Sequence, residues 1–426
     1  MKPSIRIVDS TDANAVAQLV DAAAGQDSGL ERRVRQIVTA VRDRGDEAVI
    51  EFARRFDNLE EEVEISRAGM TRLARTVEPL VRDAIKLAAR NIRTVAQKQV
   101  PKGWRVRTMA GVSVEQRVTP LDRVGCYVPG GRYPLPSSLL MTAIPARVAG
   151  VREVIAVCPR PDATVMLAAL EAGVDRMFRI GGAQAIAAMA YGTATIPRVD
   201  KIAGPGNAYV AAAKALVSRD CAIDFFAGPS EIVIVSSKGN AAWIAADLLA
   251  QAEHDPDARA ILLTPSKRLA QAVKREIDRQ LPANGPAGVA LSRNGAIVLT
   301  RTLSESIALS QRIAPEHVVC DDDRTAAQLT RAGTVFVGDY SAQALGDYSS
   351  GSNHVLPTSG AARGRGGLSA ADFVRISSVQ RITRTGVRSI GPAAVALAEA
   401  EGLTAHAASV RMRLQSERLK AERDPR

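Results

Sequence analysis

The helical pattern before residue 256 carries three side chains that could bind a ligand or a metal ion. Asp247, Gln251 and His254 are spaced i, i+4 and i+7, so one helix face presents a carboxylate, an amide and an imidazole. The helix is expected to end near His254, because Asp255-Pro256 disfavours helical backbone. Amide oxygen and imidazole nitrogen are plausible zinc ligands, whereas an ordinary helix C-terminus is the commoner explanation of a single histidine.

The four histidines of the chain all lie in polar, motif-like contexts. They occur in Gln251-Ala-Glu-His254, Ala314-Pro-Glu-His317, Ser352-Asn-His354 and Thr404-Ala-His406. Glu316 and His317 join two acid/base groups at the start of a predicted strand. Adjacent strand residues face opposite sides, so both reach one substrate only where the backbone turns, which Pro315 favours. Without further context, a solvated glutamate and a strand-capping histidine are the slightly favoured interpretation.

The elements that must position these residues alternate along the chain. Residues 28–98 read as amphipathic helices. Beyond residue 104, strand-like apolar runs form a first set (154–158, 177–180, 199–203, 232–236) and a second set (260–264, 296–300, 317–320, 334–337), separated by helical stretches. The fold class predicted is α/β, with two Rossmann-like parallel-sheet units, a helical N-terminal segment and a small C-terminal helical segment. The predicted segments are 1–103, 104–229, 230–368 and 369–426.

Short glycine-containing turns stand where predicted strands pass into helices. They are Tyr127-Val-Pro-Gly-Gly131, Gly181-Gly-Ala-Gln184 and Gly204-Pro-Gly-Asn207. Small residues at such turns let backbone N–H groups approach a phosphate. No turn is a full dinucleotide fingerprint. In the turn that comes nearest, Gly204-Pro-Gly-Asn207, Tyr209 stands where the third glycine would be. Nucleotide binding and simple tight turns therefore explain the pattern equally well.

The composition weakens several other function classes. A formal charge of +11 and a sequence pI near 9.8 permit binding of nucleic acid or small anions. The arginines, however, are interleaved with acidic residues, as in Arg42-Asp-Arg-Gly-Asp-Glu47, which is typical of solvated helix faces. The four cysteines form no CxxC pair, so a thiolate cluster is not indicated. No signal peptide or membrane-spanning run is recognised, so a cytoplasmic protein is expected.

Together these segments resemble the histidinol dehydrogenase family along nearly the whole chain. The matching motifs are Gly125-Cys-Tyr-Val-Pro-Gly-Gly131, Gly181-Gly-Ala-Gln184, Gly204-Pro-Gly-Asn207, Ala227-Gly-Pro-Ser-Glu231, Gln251-Ala-Glu-His254, Ala314-Pro-Glu-His317, Gly346-Asp-Tyr348, Asn353-His-Val-Leu-Pro-Thr358 and Glu401-Gly-Leu-Thr-Ala-His406. Their number and order make chance an unsatisfactory explanation.

The resemblance implies a role for each matching residue. It implies one zinc ion per subunit and catalytic acid/base groups at Glu316 and His317. The metal ligands that the resemblance implies are Gln251, His254, Asp347 and His406, the last from the partner subunit of a homodimer with shared active sites. The implied substrate contacts are Ser230, Gln251, His254, His317, Asp347, Glu401 and His406. The implied NAD contacts are Tyr127, Gln184 and Asn207. The segment 104–229 is then the NAD-binding unit, 230–368 carries the metal and acid/base residues, and 369–426 contributes to the partner's site.

The reaction implied is oxidation of L-histidinol through L-histidinal to L-histidine, with two NAD reduced. Cys126 and Cys158 could in principle form a thiohemiacetal, but no sequence neighbour marks either as an activated thiolate. A dehydrogenase of another small alcohol and a zinc hydrolase use the same polar groups. Glu401 and His406 argue against the former, and the glycine turns have no role in the latter. A basic nucleic-acid-binding protein is the weakest alternative, because aromatic residues are scarce. No membrane partner is expected.

Overall fold

The computed structural model describes residues 5–20, 28–130, 134–225 and 228–423. The chain forms two compact units. The first contains the described residues up to Gln99 and those from Leu121 to Phe373, and the second contains Val100–Pro120 and the described residues from Val374 onward. The predicted four-segment division stays a prediction, to which the structure adds that residues 104–120 pair with the C-terminal segment.

Helices make up about half of the described residues of the first unit. Its helices are α1 (Ala13–Val20), α2 (Ser28–Arg44), α3 (Asp46–Asp57), α4 (Arg67–Ala74), α5 (Pro79–Gln99), α6 (Pro136–Val148), α7 (Ala163–Ala172), α8 (Gly182–Tyr191), α9 (Ala208–Val217), α10 (Ala241–Ala252), α11 (Lys267–Gln280), α12 (Ala287–Asn294), α13 (Leu303–Ile313), α14 (Asp323–Ala326) and α15 (Gln343–Tyr348). Short 3₁₀ turns follow at Ala361–Arg363 and Ala370–Phe373.

Two six-stranded sheets lie among these helices. One has the order β2 (Glu64–Ile65), β7 (Arg176–Phe178), β6 (Glu153–Val157), β5 (Arg123–Tyr127), β8 (Lys201–Ala203) and β9 (Ala222–Ile223). The other has the order β1 (Arg6–Asp9), β12 (Ala296–Leu299), β11 (Arg259–Thr264), β10 (Glu231–Val235), β13 (His317–Cys320) and β14 (Thr334–Val337). All pairings are parallel except that of β2 with β7. The α/β fold class is confirmed.

Both parallel sheets reverse their strand order once. In the first sheet, β6 and β7 lie on one side of β5, and β8 and β9 lie on the other. In the second sheet, β11 and β12 lie on one side of β10, and β13 and β14 lie on the other. At such a reversal, the crossover helices diverge to opposite faces and leave a crevice beyond the carboxyl ends of the strands. Each sheet therefore offers one crevice.

The cores are built from Ala, Val, Leu and Ile, as the scarcity of aromatic residues requires. One cluster joins α2, α3, α8 and α9 to the first sheet, and two clusters cover the opposite faces of the second sheet. Close packing explains Gly125 inside β5, because an added Cβ would lie 2.5 Å from the sulfur of Met189 on α8. Because Gly125 interrupts the apolar run, β5 is not recognised as a strand from apolar runs in the sequence.

The second unit holds a three-stranded antiparallel sheet and two helices. The sheet has the order β15 (Val374–Ile382), β4 (Val112–Pro120) and β3 (Trp104–Met109), and the helices are α16 (Arg384–Ala400) and α17 (Thr404–Arg423). The small C-terminal helical segment expected from the sequence corresponds to α16 and α17, which β15 precedes. Within the described ranges, no helix combines the length and apolar composition needed to cross a membrane.

Candidate active site

The predicted acid/base pair lies at the amino end of β13. His317 is the first residue of the strand and Glu316 directly precedes it. Ala314 has a φ of 51°, so the chain leaves α13 through a left-handed residue before it enters the sheet. This turn brings the two side chains together, with Oε2 of Glu316 lying 3.6 Å from Nδ1 of His317. The backbone turn that the sequence required is present.

Asp347 joins this pair from α15. Its Oδ1 lies 3.5 Å from Nε2 of His317, and its Oδ2 accepts a hydrogen bond from Gln343, one helical turn earlier. Glu316, His317 and Asp347 are 5%, 4% and 9% exposed, so the cluster is shielded from solvent in the single chain. Asp347 lies within the short helix α15, which positions its carboxylate beside His317.

Burial and mutual charge set the protonation of the cluster. Burial raises the pKa of Glu316 to about 7, although His317 and the backbone N–H of Glu231 act in the opposite direction. Burial alone would lower the pKa of His317, but the carboxylates of Glu316 and Asp347 outweigh it and raise that pKa. Burial likewise opposes ionisation of Asp347, yet its contact with His317 holds the pKa of Asp347 below its usual value. Such a cluster can exchange protons at neutral pH.

A second buried glutamate, which the sequence did not single out as a functional residue, supports this pair. Glu231 begins β10, and its backbone N–H donates to Oε2 of Glu316 at 2.9 Å, while its carbonyl lies 3.2 Å from Nδ1 of His317. Its own carboxylate pairs with Arg259 at 2.8 Å and accepts the N–H of Ser359 at 2.6 Å. A charged residue at the head of an otherwise apolar strand was the available sequence signal.

His354 connects the cluster with the first half of the unit. Its Nδ1 lies 2.9 Å from the carbonyl oxygen of Asp347, and its Nε2 lies 3.4 Å from the hydroxyl of Ser138 on α6. Burial lowers the pKa of His354, so its ring is neutral at pH 7. The side chain thus links α15 to the helix that follows β5.

The end of α10 supplies the amide and the imidazole noticed in the sequence. The helix ends at Ala252, as Asp255-Pro256 predicted. Gln251 is fully buried, and neither its amide oxygen nor its amide nitrogen has a hydrogen-bond partner among the described residues. Such an orphaned group is costly unless a ligand completes it. Nδ1 of His254 lies 3.0 Å from the carbonyl oxygen of Ala250, which leaves Nε2 available as a metal ligand.

These donors fit a divalent metal in their chemistry. His254 lies close enough to Asp347 to affect the pKa of that carboxylate, so an imidazole, an amide and a carboxylate share one region of the first unit. Within the described residues, no group of three His, Cys, Asp or Glu side chains is arranged to hold a metal ion. The predicted ligand set differs from such a group, because it includes a glutamine and takes His406 from another subunit.

Glu401 and His406 belong to the second unit. They are exposed and line a shallow cavity between α16 and α17, together with apolar residues that include Leu397 and Leu403. Ser230, by contrast, lies in the first unit directly before β10, and its carbonyl accepts the N–H of Arg259 at 2.9 Å. The structure therefore places Ser230, but not Glu401 or His406, in the same unit as the acid/base cluster.

The residues predicted to contact NAD lie at the carboxyl edge of the first sheet. Tyr127 ends β5, and its hydroxyl accepts the N–H of Gly182 at 3.1 Å. Gln184 follows on α8 and donates to Asp57 at 3.0 Å, and Asp57 also accepts the N–H of Gly181 at 2.9 Å. Burial raises the pKa of Asp57. Asp57 is a further polar residue at this edge that the sequence did not reveal, because its partners lie more than a hundred residues away.

Asn207 caps α9 beside the same edge. Its side-chain oxygen accepts the N–H groups of Tyr209 and Val210 at 3.1 and 3.2 Å. Gly204 has a φ of 124°, and an added Cβ would lie 2.1 Å from the carbonyl oxygen of Tyr127. The loop therefore passes closer to β5 than any side chain permits, which leaves a backbone-lined edge at the strand reversal.

A buried ion pair holds this loop in place. Nζ of Lys214 donates to the carbonyl of Gly204 at 2.5 Å and to Asp224 at 2.6 Å, and Asp224 accepts the N–H groups of Gly204 and Phe225 at 2.8 and 2.7 Å. Lys214 and Asp224 are 3% and 5% exposed. We refer to these two residues as the Lys214–Asp224 clamp.

Two motifs extend beyond the described residues, because Gly131 and Ala227 lie outside them.

The thiols are not suited to nucleophilic chemistry. All four cysteines are buried and form no disulfide. Burial raises the pKa of Cys126 and of Cys158 to about 12, so neither thiol provides a thiolate at neutral pH.

The whole chain is similar to one group of known proteins. A family model described as histidinol dehydrogenase matches residues 21–414. The histidinol dehydrogenase of Dechloromonas aromatica is 43% identical over 431 residues, covering 97% of this chain and 100% of that one. That of Cereibacter sphaeroides is 47% identical over 392 residues, covering 89% and 90%. The crystal structure of histidinol dehydrogenase from Elizabethkingia anophelis matches with a TM-score of 0.92 at 33% identity, covering 98% and 99%.

The architecture and the buried cluster define the broad class, an α/β protein built on two parallel sheets with a buried group of titratable side chains on the second. The length and identity of the matches narrow this class. The chain belongs to the histidinol dehydrogenase family.

Proposed function

We propose that this protein catalyses the zinc-dependent, NAD-linked, four-electron oxidation of L-histidinol to L-histidine through L-histidinal, the last steps of histidine biosynthesis. The observation that carries the proposal is the buried cluster of Glu316, His317 and Asp347 in a chain that also buries the amide of Gln251 without a partner. An isolated structural ion pair would not need an uncompensated amide.

We propose Gln251, His254 and Asp347, with His406 from a second subunit, as the zinc ligands. The support is chemical, because the three residues of the first unit offer an unpaired amide, an imidazole with one nitrogen left available and an ionised carboxylate. Bound zinc would hold the imidazole and amino nitrogens of the substrate and fix its orientation. Ser230, His317 and Glu401 are the proposed additional substrate contacts.

We propose Tyr127, Gln184 and Asn207 as NAD contacts. Their support is the backbone-lined edge at the strand reversal, where an added Cβ at Gly204 or Gly206 would collide with Tyr127 or Val210. When bound, NAD accepts the hydride from the substrate carbon. His354, through Ser138, links this half of the unit to the acid/base cluster, which is compatible with one site that uses both sheets.

The residues of the cluster divide the proton transfers in this proposal. His317 accepts the hydroxyl proton as the alcohol carbon loses hydride, because Asp347 and the carbonyl of Glu231 orient its ring. Glu316 accepts a proton from the water that adds to the aldehyde, and the hydrated carbon then loses the second hydride. Two hydrides and the matching protons leave in total, which accounts for four electrons.

A homodimer with shared sites completes the proposal, since Glu401 and His406 lie in a unit with many exposed apolar side chains. Those of the second unit are Trp104, Val106, Met109, Ile376, Ile382, Leu397, Leu403 and Met412. Apolar area of this kind favours association with a second copy. The cytoplasmic location expected from the sequence is retained, and four unpaired buried cysteines are compatible with it.

We expect a mixed dimer to test the shared site. His406→Asn and His254→Asn are each expected to abolish turnover as homodimers, because each removes one ligand from every site. Mixing the two variants restores one intact ligand set per heterodimer, so up to about a quarter of the activity per site is expected to return on statistical exchange. A mixture that stays inactive although mass spectrometry shows heterodimers would contradict the shared site. Mixing wild-type protein with either variant controls for loss during exchange.

The first measurement of activity is NADH formation from purified protein, L-histidinol and NAD. We expect two NADH per histidinol, loss of turnover on chelation and recovery with zinc, because the metal holds the substrate while the two hydrides leave in turn. One NADH per substrate would limit the reaction to the alcohol step. Absence of turnover with zinc present would overturn the proposed substrate, and a screen of small amino alcohols would follow.

A further inference from the structure

The carboxyl edge of the first sheet carries a buried carboxylate that the proposed NAD contacts do not include. Asp57 is the last residue of α3, and Asn58 after it has a φ of 55°, so the chain turns away and leaves the carboxylate against the turn before α8. The residue is 9% exposed. Burial and the C-terminal end of its own helix both disfavour a carboxylate, so the structure of α3 does not account for this residue type.

The start of α8 stabilises the charge of Asp57. Its Oδ2 accepts the N–H of Gly181 at 2.9 Å and a bond from Nε2 of Gln184 at 3.0 Å, an arrangement that suits an ionised carboxylate. The N–H of Gly182 donates to the hydroxyl of Tyr127 at 3.1 Å. Side chains thus occupy the helix N-terminus where a phosphate would otherwise bind. Oδ1 of Asp57 accepts no bond from the described residues, which leaves one carboxylate oxygen for a hydroxyl group of a ligand.

The strand order places Asp57 on the side of the sheet where dinucleotide-binding folds hold the adenosine ribose. The order β7-β6-β5-β8-β9 corresponds to the 3-2-1-4-5 order of such sheets, in which an acidic residue after the second strand binds the ribose hydroxyls. Here β6 is followed by Arg160, and the next carboxylate, that of Asp162, caps α7 by accepting the N–H of Val165 at 2.9 Å. Asp57 therefore supplies a carboxylate to this edge from a different segment of the chain.

The turns after β5, β6 and β7 meet beside this carboxylate. An added Cβ at Gly130 or at Gly181 would collide with the ring of Pro159, so the three turns are in close contact. Arg160 is exposed and donates to the carbonyl of Gly130 at 3.0 Å. Burial raises the pKa of Asp57, and the nearby charge of Arg160 acts in the opposite direction. An arginine near this position accommodates the 2′-phosphate in NADP-binding folds, and here the carboxylate of Asp57 offsets its charge.

We propose that Asp57 selects NAD over NADP, because its carboxylate accepts a hydroxyl of the adenosine ribose beside Gln184 and repels a 2′-phosphate that Arg160 would otherwise bind. This inference rests on the proposed function, from which it takes a nicotinamide dinucleotide as the cofactor. It adds a residue of the helical N-terminal segment to the cofactor site, and it assigns the selectivity to two opposite charges together.

Binding of the reduced cofactors tests this selectivity without substrate, zinc or turnover. NADH and NADPH are titrated separately, with cofactor fluorescence as the signal. The unaltered protein is expected to bind NADH at least about tenfold more tightly, because the 2′-phosphate of NADPH meets a carboxylate. Asp57→Asn is expected to strengthen NADPH binding roughly tenfold, a gain that damage to the fold would not produce. Its NADH binding is expected to weaken several-fold, because the charged acceptor of the ribose hydroxyl is lost.

Three further variants separate the two charges. Asp57→Asn combined with Arg160→Ala is expected to lose the gain in NADPH binding, because the cation that holds the phosphate is then absent. Arg160→Ala alone does not threaten folding, since its side chain is exposed, and it is expected to weaken NADPH binding several-fold while NADH binding stays nearly unchanged. Asp83→Asn removes an exposed carboxylate from α5 and is the matched control, which should change neither affinity.

The selectivity assignment is overturned if Asp57→Asn, shown to be folded by circular dichroism, binds NADPH no more tightly than the unaltered protein. Equal binding of both cofactors by the unaltered protein, or an equal loss of both affinities in Arg160→Ala, would also overturn it. Failure of the proposed function gives a different result. L-histidinol and NAD would then yield no NADH, while the preference for NADH and its dependence on Asp57 would remain.

Discussion

Replacing Glu316 by Gln is expected to reduce oxidation of the aldehyde by about 10²–10⁴-fold, the usual loss when a general base is removed. Oxidation of the alcohol is expected to suffer much less, because His317 accepts the proton in that step. The amide can still accept the N–H of Glu231, which donates to Oε2 of Glu316 at 2.9 Å, so the turn before β13 is expected to persist. Initial rates with histidinol and with histidinal, each with NAD, measure the two steps separately.

The pH dependence of the aldehyde step adds an independent check. Burial raises the pKa of Glu316 to about 7, and the ionised form is the base. The rate is therefore expected to rise as the pH increases through about 7 and then level off, and Glu316→Gln should remove this limb. Glu305→Gln on α13, a partly buried position paired with Arg301 and distant in sequence from the cluster, is the control for a lost carboxylate. Equal losses in both oxidations would contradict the division between Glu316 and His317.

Replacing Lys214 by Met is expected to lower the free energy of unfolding by about 3–5 kcal/mol, because it leaves the buried carboxylate of Asp224 without its cation. Lys214 and Asp224 are 3% and 5% exposed, so solvent cannot compensate. Binding of NAD is expected to weaken as well, since the Gly204 loop loses a bond of 2.5 Å. Urea unfolding monitored by circular dichroism and titration with NADH by fluorescence measure the two effects.

Two further variants show whether the charge or the shape of Lys214 matters. Lys86→Met on α5 removes an exposed lysine and is expected to change the free energy of unfolding by less than about 0.5 kcal/mol. In the Lys214→Met background, Asp224→Asn is expected to recover part of the stability, because no unpaired charge remains buried. If Lys214→Met behaved like Lys86→Met, the Lys214–Asp224 clamp would have no structural role.

The α/β fold could be predicted from sequence because parallel strands buried on both faces appear as short apolar runs. The predicted runs at 260–264, 296–300 and 317–320 correspond to β11, β12 and β13. The predicted first set included 232–236, but β10 belongs to the second sheet, because it pairs with β11 and β13. Pairing between strands is not encoded in the run itself.

Physical features of three strands explain why they were not predicted from the sequence. β3 is exposed along its whole length, and β15 is largely exposed and rich in polar residues, in a segment that otherwise reads as helical. β5 has only five residues with Gly125 at its centre. An apolar-run criterion finds strands buried on both faces and overlooks the others.

The proposed acid/base residues could be recognised from their sequence motif, but the residues that form hydrogen bonds to the site residues could not. Glu316 and His317 are neighbours in sequence, so their pairing is local. The N–H that Glu231 donates to Glu316 joins residues 85 positions apart, and the bond from Gln184 to Asp57 joins residues 127 positions apart. Single-sequence patterns carry no information about such contacts, which exist only once the helices and sheets have packed.

The two sheets also differ in which edge they use. The rule for open α/β sheets places ligands at the carboxyl ends of strands, and the proposed NAD contacts Tyr127 and Asn207 lie at that edge of the first sheet. The proposed acid/base residues Glu316 and His317 instead lie at the amino end of β13. The general rule alone would therefore not have pointed to the edge of the second sheet where these two residues lie.

The discontinuity of the second unit governs the order in which the chain can fold during synthesis. β4 leaves the ribosome early, but its neighbour β15 follows only after the intervening stretch from Leu121 to Phe373, about 250 residues later. Until then the edge of β4 that later pairs with β15 has no partner strand. The first unit can therefore mature on the nascent chain before β15 is available to complete the second. During that interval the open edge of β4 is a template for pairing with other chains, so a chaperone that covers it would protect the newborn protein.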